Sequence, residues 1–242
     1  MAGNYQDYHH GDVTCEAYVA GAVAGQRRPA VLVGHTWGGQ SDHERETADR
    51  LAALGYVGIA IDVYGKGRRG EHGTPTAMAV NTALMTPFIQ DRAMLRDRML
   101  AAVAFAKTIP GVDATRIAVM GYCFGGLCAL DVARSGADDV RGAVSIHGIF
   151  APPGFGEQAQ ITTKVLILHG WEDPMAKPDD VVMVAKELTE AGADWQLNAY
   201  GHAMHAYTAP GANMPERGLQ YSESATRRSW QAIENFLAEV LV

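Results

Sequence analysis

The run Gly121-Tyr122-Cys123-Phe124-Gly125, with Gly126 behind it, sets a thiol between glycines at the spacing of the G-x-S-x-G nucleophile elbow. It follows the apolar residues Ile117 to Met120 and precedes Leu127 to Ala133, so the order strand, sharp turn, helix is predicted. A strand that enters a helix with almost no loop forces its central residue into strained backbone geometry and crowds neighbouring peptides, which residues lacking a Cβ tolerate. The side chain then stands at the tip of a sheet beside the first N–H groups of a helix. That positive helix end favours the thiolate, the nucleophilic form. The plain alternative is a small buried cysteine on a glycine-rich turn.

An elbow of this kind requires an acid after a later strand and a histidine after a still later one. Val165-Leu166-Ile167-Leu168-His169-Gly170 leads into Trp171-Glu172-Asp173-Pro174, which puts Asp173 on a tight turn at a strand's carboxyl end. Trp195 to Tyr200 then runs into Gly201-His202-Ala203-Met204-His205, a loop with two candidate bases. A free thiol is only a few per cent ionised near neutral pH, so pairing Cys123 with His205 has something to contribute. The carboxylate would fix the tautomer of the imidazole and stabilise its positive form. Taken singly, Asp173 also reads as a turn residue before proline and His205 as a surface histidine. Two backbone donors for a developing oxyanion are expected from Phe124 and from the glycine-rich loop Gly34-His35-Thr36-Trp37-Gly38-Gly39, with Trp37 as the second donor.

Positioning these residues takes an α/β fold with a mostly parallel central sheet and helices on both faces, because apolar runs alternate with helix-period segments from residue 30 onward. Strands are predicted at Val31–Val33, Val57–Ile61, Ile117–Met120, Ala143–Ile146, Val165–Leu168 and Trp195–Tyr200, with an antiparallel edge pair near Tyr8–His10 and Thr14–Val19. Helices are predicted at Asp42–Leu54, Phe88–Lys107, Phe124–Arg134, Pro178–Ala191 and Ser222–Val240. Residues 62–86, rich in Gly, Thr, Met and Arg, break the alternation and read as a loop-rich cover over the site.

A length of 242 residues suits one α/β domain, 1–242, and 48% hydrophobic residues suffice for a sizeable core. The formal charge of -7 and the absence of a Lys/Arg block argue against nucleic acid as a partner. A polar start with no apolar leader and no membrane-length apolar run points away from secretion and membranes. Three cysteines, Cys15, Cys123 and Cys128, make no disulfide framework, so a cytoplasmic location is expected. Oligomeric state is not readable.

The elbow, the His169 to Pro174 stretch and the His205 loop after Tyr200 resemble dienelactone hydrolases, a branch of the α/β-hydrolase fold. The resemblance extends to Gly34 to Arg45, Leu54 to Gly65 and Tyr221 to Leu241. It implies a Cys123–His205–Asp173 triad, oxyanion donors at Trp37 and Phe124, and hydrolysis of a lactone or small ester through a thioester. It implies no cofactor. Thr36, Tyr64 and Met204 are further candidates for lining the substrate pocket. Two positions depart from the dienelactone-cleaving pattern. Thr36 replaces a glutamate that restrains the resting thiol, so constitutive pairing of Cys123 with His205 is expected. Ala209 replaces an arginine that binds the substrate carboxylate, which favours a neutral ester or lactone unless Arg68, Arg69 or Arg92 substitutes. Activated aryl esters and phosphotriesters are further candidates, since the same hole fits other tetrahedral centres.

Other signals are weaker. Gly65-Lys66-Gly67-Arg68-Arg69-Gly70 matches G-x-G-x-x-G, but Glu71-His72-Gly73-Thr74-Pro75 follows where a helix should begin. His202 and His205 lack a third ligand at metal spacing, so no metal is expected. Cys128 reads as packed against the sheet. Non-catalytic ligand sensing on the same fold is the competing functional class.

Overall fold

The computed structural model describes residues 3–71, 73–156 and 158–242, so His72 in the cover segment lies outside the described residues. Eight strands form one sheet in the order β1-β2-β4-β3-β5-β6-β7-β8. They are β1 (Asn4–His10), β2 (Val13–Ala20), β3 (Arg28–Gly34), β4 (Val57–Ala60), β5 (Val112–Tyr122), β6 (Gly142–Ile146), β7 (Lys164–Gly170) and β8 (Trp195–Tyr200). The β1–β2 hairpin joins antiparallel at one edge, and β4, β3 and β5 to β8 run parallel. The chain order reverses about β3, which has β4 on one side and β5 on the other. Such a reversal opens a crevice at the carboxyl ends of the strands.

Among the described residues six helices cover the sheet: α1 (Asp42–Ala53), α2 (Ala77–Gln90), α3 (Arg92–Thr108), α4 (Phe124–Arg134), α5 (Pro178–Glu190) and α6 (Glu223–Val240). Alternate strand residues face opposite sides, and each side meets its own helices. Leu32, Val119 and Ile167 pack with Leu95 and Met99 of α3, the apolar face of α4, and Val184 of α5. Val33, Met120 and Leu168 pack with Leu51 of α1 and with Trp230, Ile233 and Leu237 of α6. The spacing of those α6 residues marks a one-sided helix, started by Ser222, whose side chain accepts the Ala225 N–H at 3.4 Å. Helix α1 opens on a capping box, in which the Glu44 carboxylate reaches back to the Ser41 N–H at 2.7 Å.

The expected helix Phe88–Lys107 is two helices, and the second half of the 62–86 segment is helical. Asp91 separates them: its backbone leaves the helical region (φ -121, ψ 86) and its side chain caps α3 by accepting the Met94 N–H at 2.8 Å. Helix α2 escaped pattern reading because it has no core-facing stripe; only Asn81 and Phe88 are buried in it, and Pro87 lies inside it. Asn81 docks it instead, accepting the Glu71 N–H at 2.8 Å and donating to the Glu71 carbonyl at 2.9 Å.

Helices α3, α4 and α5 share a buried ionic network. Arg92 donates to both oxygens of Asp131 at 2.7 and 2.6 Å, and Arg134 donates to Asp131 at 3.4 Å and to Glu187 at 2.7 Å. The same guanidinium groups hold the Phe150 and Ala151 carbonyls of the loop after β6 at 3.0 to 3.3 Å. Burial pushes the Asp131 carboxyl up, and the two arginines offset only part of that.

Candidate active site

Cys123 sits between β5 and α4 with φ 55 and ψ -113, outside the regions a residue with a Cβ ordinarily occupies. Its N–H is tied to the Ile146 carbonyl at 3.0 Å, and its own carbonyl accepts the Gly126 N–H at 3.0 Å. The flanking glycines are required by contact. A Cβ on Gly121 would stand 2.3 Å from the Gly125 backbone, and one on Gly125 would stand 2.3 Å from the Gly34 carbonyl oxygen. The turn therefore packs directly on the end of β3. Cys123 is partly exposed, whereas Cys128 is fully buried and its thiol is pushed well up by that burial.

Asp173 follows β7 and His205 follows β8, both buried, and His205 Nδ1 lies 2.7 Å from Asp173 Oδ2. The loops are fixed to one another by backbone. The His205 N–H donates to the Gly218 carbonyl at 2.9 Å, and its carbonyl accepts the Gln220 N–H at 3.3 Å. Gly218 in turn leaves no room for a Cβ, which would come 2.4 Å from Pro174 beside Asp173. A two-stranded ribbon, Asn213–Met214 with Leu219–Gln220, carries this contact. Burial alone would push the His205 imidazole down. The electrostatic influence of Cys123 and the hydrogen bond and charge of Asp173 outweigh it, and the imidazole is raised from 6.5 to about 10.

His202, the other candidate base, is exposed and pairs with Glu172 at 3.0 Å instead. Two further histidines surround the site and escaped the sequence reading. His147, buried after β6, places its ring 5.1 Å from that of His205 and meets Thr208 Oγ1 at 2.8 Å. His169, at the end of β7, is also buried. Burial lowers both imidazoles, so each stays neutral beside His205. A histidine at the carboxyl end of a predicted strand is the only signal that could have flagged them.

The loop after β3 lies over the first turn of α4. Trp37 is half-buried and, like Cys123, packs against the larger apolar cluster. Among the described residues no carbonyl or side chain accepts the N–H of Trp37 or of Phe124. Thr36 is half-buried, with its N–H 3.4 Å from Glu44 Oε1. Tyr64 is fully buried, and its hydroxyl donates to the Trp37 carbonyl at 2.9 Å. Met204 is half-buried immediately before His205.

Of the arginines considered for a substrate carboxylate, Arg92 is consumed by Asp131 and Arg69 pairs with Asp62 at 3.3 Å. Arg68 is exposed and reaches the Tyr64 carbonyl at 3.4 Å. In the Gly65 loop, the N–H groups of Tyr64 and Gly65 are taken by the Asp62 carboxylate at 3.0 and 3.1 Å, and among the described residues the next helix begins at Ala77. Among the described residues no three His, Cys, Asp or Glu side chains are grouped to hold a metal ion.

A strained residue at the strand-to-helix turn beside the reversal point of a mostly parallel sheet, covered on both faces, defines an α/β-hydrolase fold. The sequence model of the dienelactone hydrolase family matches residues 15–241, and the chain belongs to that family. It is accordingly a hydrolase of lactones or esters. The solved structure titled m3DLH is 34% identical, covers all of both chains and superposes with a TM-score of 0.90. A dienelactone hydrolase-like promiscuous phosphotriesterase, P91, from metagenomic libraries is 31% identical over all of both chains, with a TM-score of 0.88. A Bradyrhizobium protein named as a probable 2-oxo-3-(5-oxofuran-2-ylidene)propanoate lactonase is 28% identical over 203 residues, 79% of each chain. No helix is long and apolar enough to cross a membrane among the described residues.

Proposed function

We propose that the protein hydrolyses a neutral lactone or small ester by attack of the Cys123 thiolate, with His205 as acid and base and Asp173 as its orienting partner. The observation that carries this reading is the 2.7 Å contact of buried His205 Nδ1 with Asp173 Oδ2, on the loops that follow β7 and β8 beyond the Cys123 elbow. Sulfur adds to the carbonyl carbon, and the resulting oxyanion lies between the N–H groups of Phe124 and Trp37. Removing one such donor typically costs about 2.7–4 kcal/mol of transition-state stabilisation. His205 gives its proton to the departing alkoxide, leaving a thioester on Cys123. The now neutral imidazole then takes a proton from water as the water attacks, and collapse releases the acid and returns sulfur to its starting form.

Neutral substrates are favoured because Ala209 offers no cation, the charges of Arg92 and Arg69 are already matched, and the exposed Arg68 reaches back to the Tyr64 carbonyl. With Thr36 in the loop, no carboxylate side chain at that position competes for the thiol proton, so the pair is ready before substrate arrives. The 31% identity to a promiscuous phosphotriesterase supports phosphotriesters as secondary substrates. In that case sulfur attacks phosphorus, an aryloxide leaves, and water must release the phosphoryl group from sulfur. The test is a panel of acyl esters, lactones and phosphotriesters run on wild type and Cys123→Ala, with mass spectrometry of quenched reactions. Turnover lost in Cys123→Ala and an acyl adduct trapped on Cys123 are expected. Turnover retained by Cys123→Ala overturns the reading.

A further inference from the structure

We propose that His35 is a positioning residue for the oxyanion site: by gripping the Thr36 carbonyl, its ring sets the direction of the Trp37 N–H. The inference rests on the reading above, in which that N–H receives the oxyanion. His35 is completely buried at the end of β3, where a histidine with no ionic partner needs a reason. Both ring nitrogens are used. The Val63 N–H donates to Nε2 at 3.1 Å, so that nitrogen carries no proton. The proton of the neutral ring is then on Nδ1, which donates to the Thr36 carbonyl at 2.6 Å. Burial lowers the imidazole and keeps it in this neutral form.

The peptide joining Thr36 to Trp37 is planar and trans, so its N–H points opposite to its C=O. Fixing the carbonyl against His35 therefore turns the Trp37 N–H away from the ring. The peptides on either side are held as well. The Thr36 N–H faces Glu44, and the Trp37 carbonyl accepts from the Tyr64 hydroxyl. The Thr36 carbonyl also takes the Gly39 N–H at 3.1 Å, which closes the turn on itself. What the turn lacks internally is an anchor to the sheet, and the His35 ring supplies it through Val63, just past β4. The Trp37 N–H has no acceptor among the described residues. The ring also packs edge-on against Tyr64 at 4.6 Å and lies 5.9 Å from Phe124, the other donor residue.

The test separates two reactions of the same thiol. Acylation by p-nitrophenyl acetate builds an oxyanion, whereas alkylation by iodoacetamide does not. His35→Phe keeps a ring and removes both hydrogen bonds; the acylation rate and kcat are expected to fall about 100-fold while KM and the alkylation rate change less than about threefold. His35→Gln, whose amide both donates and accepts, is expected to recover at least about tenfold of that loss. If His35→Phe does not fold, Tyr64→Phe, which frees the Trp37 carbonyl, is expected to show the same split at about tenfold. Equal changes in acylation and alkylation, or no change in acylation, overturn the proposal. Full turnover in Cys123→Ala would instead overturn the reading beneath it, so the two failures are distinguishable.

Discussion

At the scale of single residues, the His205 imidazole is the group whose behaviour differs most from its free form. Its folded value of about 10 lies above the ordinary 6.5, so the folded protein holds a proton there that an unfolded chain releases. The associated stabilisation is full below 6.5 and is lost as pH rises through about 10. The imidazole is therefore expected to hold its proton well above 6.5 in wild type and to release it at lower pH in Cys123→Ala, followed by the His205 ring signals in an NMR pH titration. Identical titration in the two proteins would contradict the assignment of charge at this pair. The neutral histidines 147 and 169 have the opposite sign, since burial lowers them and each resists acquiring charge beside His205.

At the scale of elements, the elbow works because β5, α4 and the end of β3 approach more closely than side chains permit. Gly125→Ala places a methyl 2.3 Å from the Gly34 carbonyl oxygen, and backbone must move to admit it. A loss of about 1–3 kcal/mol in stability is expected, together with loss of ester turnover, because the shift disturbs both proposed oxyanion donors. Thermal unfolding within about 1 °C of wild type would show that the contact is softer than it looks. The alternation of apolar runs made the parallel strands legible, and the order of elbow, acid and histidine made Cys123, Asp173 and His205 legible as candidates. Helix α2 was not legible because its docking depends on Asn81 meeting a distant backbone, which no periodicity encodes. His35 and His147 were missed for a related reason: their partners, Val63 and Thr208, are remote in sequence.

At the scale of the whole molecule, the ionic network around Asp131 joins three helices to the loop that borders the site. Asp131→Asn would leave the Arg92 guanidinium buried without its counter-charge, while Arg134 keeps Glu187, and a loss of about 3–5 kcal/mol is expected from chemical denaturation. An unchanged midpoint would mean that Glu187 alone compensates. The pairing of Arg92 with Asp131 and of Arg69 with Asp62 has a second effect. These cations are neutralised by partners within the protein, so they lend little long-range pull toward an anionic molecule, and the chain as a whole carries a net charge of -7. Raising the ionic strength should therefore leave KM for the preferred substrate nearly flat, because screening acts on charges that face each other across water. A KM that climbs severalfold with added salt would reveal an electrostatic grip on the substrate. On this view the enzyme selects by shape and carbonyl reactivity, and it should keep its selectivity in brackish as well as dilute media.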